Sequence, residues 1–166
     1  MRIGLDFDRT LFDTDSFDDF YKDNVEGLYH VDSPAPVKHG VYDPEMHADL
    51  CGIPLERIWS VFSNDLSRFL YSDIDKIEEI KENHGVVIVT RGHEKFQKSK
   101  VEASGLADKV EDVIVVQEKS KDVADIDLLV DDRDYELEKV GIPGVKIDRP
   151  EEGLEKVLER LKNCEA

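Results

Sequence analysis

The chain has 166 residues, of which 40% are apolar and 37% charged, and a net charge of −17 at pH 7. That length suits one domain with a real hydrophobic centre. The acidity argues against nonspecific binding to a nucleic-acid polymer or to an anionic membrane surface. The two cysteines, Cys51 and Cys164, show neither metal-ligand spacing nor a disulfide framework. No signal-peptide core precedes the first strand pattern, and no apolar stretch approaches the roughly 20 residues of a spanning helix. A reduced, cytoplasmic setting is expected.

In chain order, residues 2–7 read as a strand that ends in Asp6-Phe7-Asp8-Arg9-Thr10. Within a strand, two carboxylates one residue apart would point to opposite faces. Where the strand opens into a loop, both can turn toward one point. Holding them there makes sense if a hard divalent cation occupies that point.

Residues 13–72 contain no convincing strand. They read as a helix over 16–28, a Pro-containing loop at 33–36, a short helix over 43–50 and a longer one over 54–70. Trp59, Phe62, Leu66, Phe69 and Leu70 form an apolar stripe on the last of these, expected to pack against the other inserted helices. An insertion directly after the first strand would overhang the carboxyl end of the sheet, where ligands bind in open α/β folds.

Beyond residue 72, β-branched runs at 85–89, 113–116, 126–130 and 144–147 read as strands. Helical patterns at 74–83, 93–104, 133–140 and 150–162 separate or follow them. The last is expected to carry Pro150 at an early helical position, with Leu154, Val157, Leu158 and Leu161 at helical spacing. This alternation predicts an α/β fold, a doubly wound parallel sheet covered on both faces. Residues 1–12 and 73–166 form its core, and 13–72 a helical insertion.

The residues following the strands carry the chemistry. Asp6 and Asp8 follow the first, Thr90 the second, Lys119 and Lys121 the third, and Asp131 and Asp132 the fourth. In a parallel sheet these ends share one rim. Singly, each has a bland reading: Thr90 can cap a helix, the lysines can be solvated, and the acidic pair can start a helix. Together, a hydroxyl, an ammonium and two acidic pairs on one rim suit phosphate chemistry.

With these motifs the chain resembles the haloacid dehalogenase-like hydrolase superfamily. The family's Asp-x-Asp-x-Thr is matched by Asp6, Asp8 and Thr10, its Thr or Ser by Thr90, and its closing acidic pair by Asp131 and Asp132. Lys119 and Lys121 compete for its lysine, and Lys119 is preferred because residue 120 onward reads as a helix start. Receiver domains carry similar groups, but with the acidic pair first rather than last. Arg9 departs from the family, many of whose members carry Gly there.

The resemblance implies a Rossmann-like core with a small helical cap. It implies Asp6 as nucleophile and Asp8 as general acid and base, with Thr90 and Lys119 on the phosphoryl group. Thr10, Arg91 and Lys121 are expected at the substrate. Mg²⁺ is expected on Asp6, Asp8, Asp131 and Asp132. Dehalogenating and phosphonate-cleaving relatives lack an acid/base Asp at the position of Asp8. The expected activity is therefore hydrolysis of a small soluble phosphate monoester, a nucleotide or a sugar phosphate. A phosphotransferase or phosphomutase on the same site, and a non-catalytic binding module, are the alternatives.

Overall fold

The computed structural model describes residues 1–26 and 36–165. In chain order the regular elements are β1 (Arg2–Leu5), α1 (Thr14–Val25), β2 (Val37–Lys38), β3 (Val41–Tyr42), α2 (Pro44–Cys51), α3 (Leu55–Ser60) and α4 (Lys76–Lys81). They continue with β4 (Gly85–Arg91), α5 (Glu94–Ser104), β5 (Val113–Val116), β6 (Leu128–Asp131), α6 (Asp134–Lys139), β7 (Gly144–Lys146) and α7 (Glu155–Glu165). No described helix is long and apolar enough to cross a membrane.

The strand runs pair in parallel into one sheet of order β5-β4-β1-β6-β7. Alternation along β4 sends Val86 and Ile88 to one face and Val87 and Val89 to the other. The first face forms the larger core, where Ile3, Leu5 and Val130 meet Ile77 and Ile80 of α4, Phe96 and Val101 of α5, Val157 and Leu161 of α7, and Leu154 just before it. The second is smaller and joins Leu129 to Ala124, Ile126 and Val140. The doubly wound parallel α/β sheet is as expected. Its order reverses between β1 and β6, so the crevice at their carboxyl ends is a topological switch point.

The insertion departs from the expected all-helical reading. Asp13 caps α1, accepting a bond from the Ser16 amide at 3.2 Å. The end of the helix expected over 16–28, and all of the 33–36 loop but Pro36, lie outside the described residues. After them comes a β-hairpin, β2–β3, with Val37 opposite Tyr42. Its two-residue turn puts His39 and Gly40 at positive φ, the conformation that suits tight hairpins. Each strand has only two residues, too few to show an alternating pattern.

The helix expected over 54–70 breaks into α3 and two 3₁₀ turns, Val61–Ser63 and Ser67–Phe69. Asn64 bonds back to the Val61 carbonyl at 2.9 Å, and Asp65 accepts from the Ser67 amide at 2.9 Å. Such local side-chain bonds compete with the helix. The apolar stripe nonetheless packs inward: Leu66 and Phe69 are buried, and Trp59, Phe62 and Leu70 lie against the core. α7 also starts five residues later than Pro150 suggests, because Asp73 takes the Leu154 amide at 2.7 Å.

Candidate active site

β1 ends at Leu5, and Asp6 runs on beside β6, its amide donating to the Val130 carbonyl at 2.8 Å. The chain then turns sharply. The Phe7 carbonyl accepts from the amides of Thr10, Leu11 and Phe12 at 3.3, 3.0 and 3.1 Å. Arg9 takes the left-handed conformation (φ 60°), which accounts for glycine at this position in many relatives of the family it resembles. Its guanidinium turns out to Asp15 at 2.8 Å. Arg149 fixes the turn from below, donating to the Thr10 carbonyl at 3.0 Å while paired with Asp73 at 2.8 Å.

At the switch point, the wholly buried Lys121 ammonium lies 2.6 Å from Asp6 Oδ1 and 2.6 Å from Asp131 Oδ2. Thr10 Oγ1 reaches Asp6 Oδ2 at 3.4 Å, and the Arg133 amide donates to Asp131 Oδ1 at 2.9 Å. One oxygen from each of Asp6, Asp131 and Asp132 lies within 4.8 Å of the others. Burial, with Asp131 and Asp8 adding to it against Lys121, raises the Asp6 pKa to about 6. Burial also raises Asp131 and Asp132. Three carboxylates around one ammonium leave the cluster short of positive charge. An all-oxygen donor set of this kind fits a hard divalent cation such as Mg²⁺.

Asp8 has different partners. Lys100 Nζ lies 2.5 Å from Oδ1, Thr14 Oγ1 donates to the same oxygen at 2.8 Å, and Gln97 Nε2 donates to Oδ2 at 2.7 Å. Burial pushes its pKa up, but Lys100 with Gln97 and Thr14 outweighs this and holds it below the ordinary carboxylate value. Gln97 Nε2 is also 2.7 Å from Thr90 Oγ1, so one amide links the ends of β1 and β4. Gly92 makes room for it: a Cβ there would lie 2.7 Å from Gln97 Cγ. Asp8, Gln97 and Lys100 line a cavity of about 630 Å³ that is also walled by Tyr21, Tyr42 and His47 of the insertion. The Tyr42 hydroxyl bonds Tyr21 at 2.5 Å and His47 Nδ1 at 2.7 Å, joining α1, β3 and α2.

One expectation needs correction. Lys119 is exposed, and its side chain stays out of the cluster; only its carbonyl engages, accepting from Arg91 at 3.1 Å. The 3₁₀ turn Lys121–Ala124 is the reason, since positions three apart share a face there and Lys121 turns inward with Ala124. Arg91 lines the cavity, but its guanidinium is committed to Glu136, with Nε to Oε1 at 2.7 Å and Nη2 to Oε2 at 2.9 Å. It ties the end of β4 to α6 from its place on the cavity wall. Lys100, Gln97, Thr14 and Glu136 were not singled out from the sequence. A signal existed for two of them: Gln97 and Lys100 interrupt the inward stripe of α5 beside Phe96 and Val101.

No family model and no curated protein matches the sequence. Solved structures do match. The HAD-hydrolase YfnB of Bacillus subtilis, bound to magnesium, superposes with a TM-score of 0.63 over 96% of this chain and 97% of its own, at 14% identity. The chain has the haloacid dehalogenase-like fold. The L-2-haloacid dehalogenase of Xanthobacter autotrophicus (TM-score 0.59, 17% identity, 98% of this chain and 82% of that one) shares it. So does a predicted phosphatase from Clostridium acetobutylicum (TM-score 0.55, 15% identity, 95% and 89%). Identities this low establish the haloacid dehalogenase-like architecture; the chemistry has to be argued from the side chains.

Proposed function

We propose that the protein is a Mg²⁺-dependent phosphatase that hydrolyses a small soluble phosphate monoester through an aspartyl-phosphate on Asp6. The observation that carries this reading is the separation of the two neighbouring carboxylates. Asp6 lies buried with Lys121 and the acidic pair, whereas Asp8 faces the cavity with its own donors. Two carboxylates this close in sequence, each held by its own partners, are placed for different roles. The presence of Asp8 favours phosphate esters over haloacids, because the dehalogenating relatives of the resembled family lack it. A cavity of about 630 Å³ suits a small ligand.

In this reading an Asp6 oxygen attacks phosphorus, and the bond to the leaving oxygen breaks with its electron pair on that oxygen. Ionised beside Lys100, Asp8 accepts a proton from water when the aspartyl-phosphate is hydrolysed, and the proton gained there is the one it gives to the leaving oxygen in the next turnover. A carboxylate and a phosphoryl oxygen repel by on the order of 4 kcal/mol at 4 Å and an effective dielectric of 20. Lys121 and the Thr90 hydroxyl offset this and orient the phosphoryl oxygens. Mg²⁺, held by Asp6, Asp131, Asp132 and the Asp8 carbonyl, would supply the remaining positive charge.

The test is phosphate release from a panel of sugar phosphates and nucleoside monophosphates, with 2-haloacids alongside, for wild type and Asp6→Asn. The expected result is turnover of a phosphate ester that needs Mg²⁺ and falls by roughly 10³-fold or more in Asp6→Asn. Halide release without phosphatase activity, or an Asp6→Asn variant as active as wild type, would contradict the proposal.

A further inference from the structure

α5 carries a lysine on its buried face. Lys100 is 3% exposed, and the rings of Phe7, Phe12, Phe17 and Phe96 all lie within 5.9 Å of its ammonium. Taking an ammonium out of water costs several kcal/mol, and replacing a whole buried ion pair by apolar side chains is often neutral or stabilising. The ring faces attract the ammonium, but packing alone does not call for a buried ion pair here. What the ammonium meets is Asp8, at 2.5 Å. Gln97, also 3% exposed, holds the other Asp8 oxygen and spends its second N–H on Thr90. The site thus assigns one ammonium to each carboxylate, Lys121 to Asp6 and Lys100 to Asp8.

We infer that Lys100, seconded by Gln97, is a positioning residue that aims the Asp8 carboxyl group at the leaving-group oxygen and keeps it from turning onto Lys121 or a cation beside Asp6. The inference rests on the phosphatase reading and adds a residue that sequence motifs do not mark. It has a specific kinetic consequence. When the Asp6 oxygen–phosphorus bond forms and the ester P–O bond breaks, an alkoxide leaving group needs the proton that Asp8 delivers. A nitrophenolate leaves as a stable anion and does not. kcat/KM reports the steps up to aspartyl-phosphate formation, so it isolates this dependence from the later hydrolysis.

The experiment compares kcat/KM for p-nitrophenyl phosphate and for glycerol phosphate, with Mg²⁺, in wild type, Lys100→Met and Lys100→Arg. Lys100→Met is expected to lose about 100-fold on glycerol phosphate and less than about threefold on p-nitrophenyl phosphate, with Lys100→Arg recovering part of the loss. Thermal melting checks that each variant is folded; should Lys100→Met not fold, Gln97→Leu supplies the same comparison between the two esters. Equal losses on both esters, or none on either, would overturn the positioning role while leaving the phosphatase reading intact. A wild type that turns over neither these esters nor any of the sugar phosphates and nucleoside monophosphates would contradict that reading and this inference with it.

Discussion

Asp6 is a carboxylate whose surroundings favour its protonated form. Burial is the largest cause, Asp131 and Asp8 add to it, and Lys121 only partly compensates, so the pKa rises from 3.8 to about 6. Between those values the folded chain binds a proton that the unfolded chain has released. Stability in the absence of metal therefore falls as pH rises through this window, by at most about 3 kcal/mol from Asp6. Asp131 and Asp132 are shifted in the same direction by burial and add to the effect. We predict that the protein in EDTA melts at a higher temperature at pH 5 than at pH 7.5, and that Asp6→Asn lessens the difference. Mg²⁺ should raise the melting temperature more at pH 7.5, where the carboxylates are ionised, and its benefit should shrink in Asp6→Asn. An equal Mg²⁺ effect at both pH values would contradict this account of the cluster.

Short elements decide where several of these side chains point. The 3₁₀ turn after β5 buries Lys121 with Ala124 and leaves Lys119 in solvent. Removing a donor aimed at developing charge costs about 10²–10³ in turnover. Lys121→Met is accordingly predicted to lose about 100-fold or more in phosphate release, and Lys119→Met less than about twofold. The reverse order in steady-state assays would refute the placement. In the sequence both lysines lay two positions apart beyond one strand, and the inward partner, Ala124, was the only cue to which one turns in. The core strands were legible because their runs are β-branched and their end residues converge on one rim. The hairpin was not, since Val37–Lys38 and Val41–Tyr42 are too short to show a period. Nor was the break after α3: apolar spacing continues through Trp59, Phe62, Leu66 and Phe69, whereas Asn64 and Asp65 stop the helix by side-chain bonds to nearby backbone. Lys100 left only a faint mark, a break in the inward stripe of α5. A long charged side chain on a helix reads as solvated until the packing of α5 shows it among four rings.

On the scale of the whole molecule, a chain of net charge −17 has to accommodate an anionic substrate. It does so locally. The cavity wall sets Lys22, Lys100 and Arg133 beside Asp8, Asp18, Asp19 and Glu26, and behind it Lys121 faces the three carboxylates of Asp6, Asp131 and Asp132, a deficit that Mg²⁺ would make up. The sheet order brings β1 and β6 side by side, so Asp6 and Asp131, 125 positions apart, share Lys121. The central claim is that Asp6 is the nucleophile that takes up the phosphoryl group. It is tested most directly by quenching the Mg²⁺-supported reaction with p-nitrophenyl phosphate, reducing with borohydride and locating the product by mass spectrometry. An aspartyl-phosphate is reduced to homoserine, and the account predicts homoserine at position 6 in wild type and none in Asp6→Asn. Homoserine at Asp8 or Asp131, or at no residue while phosphate is released, would contradict it.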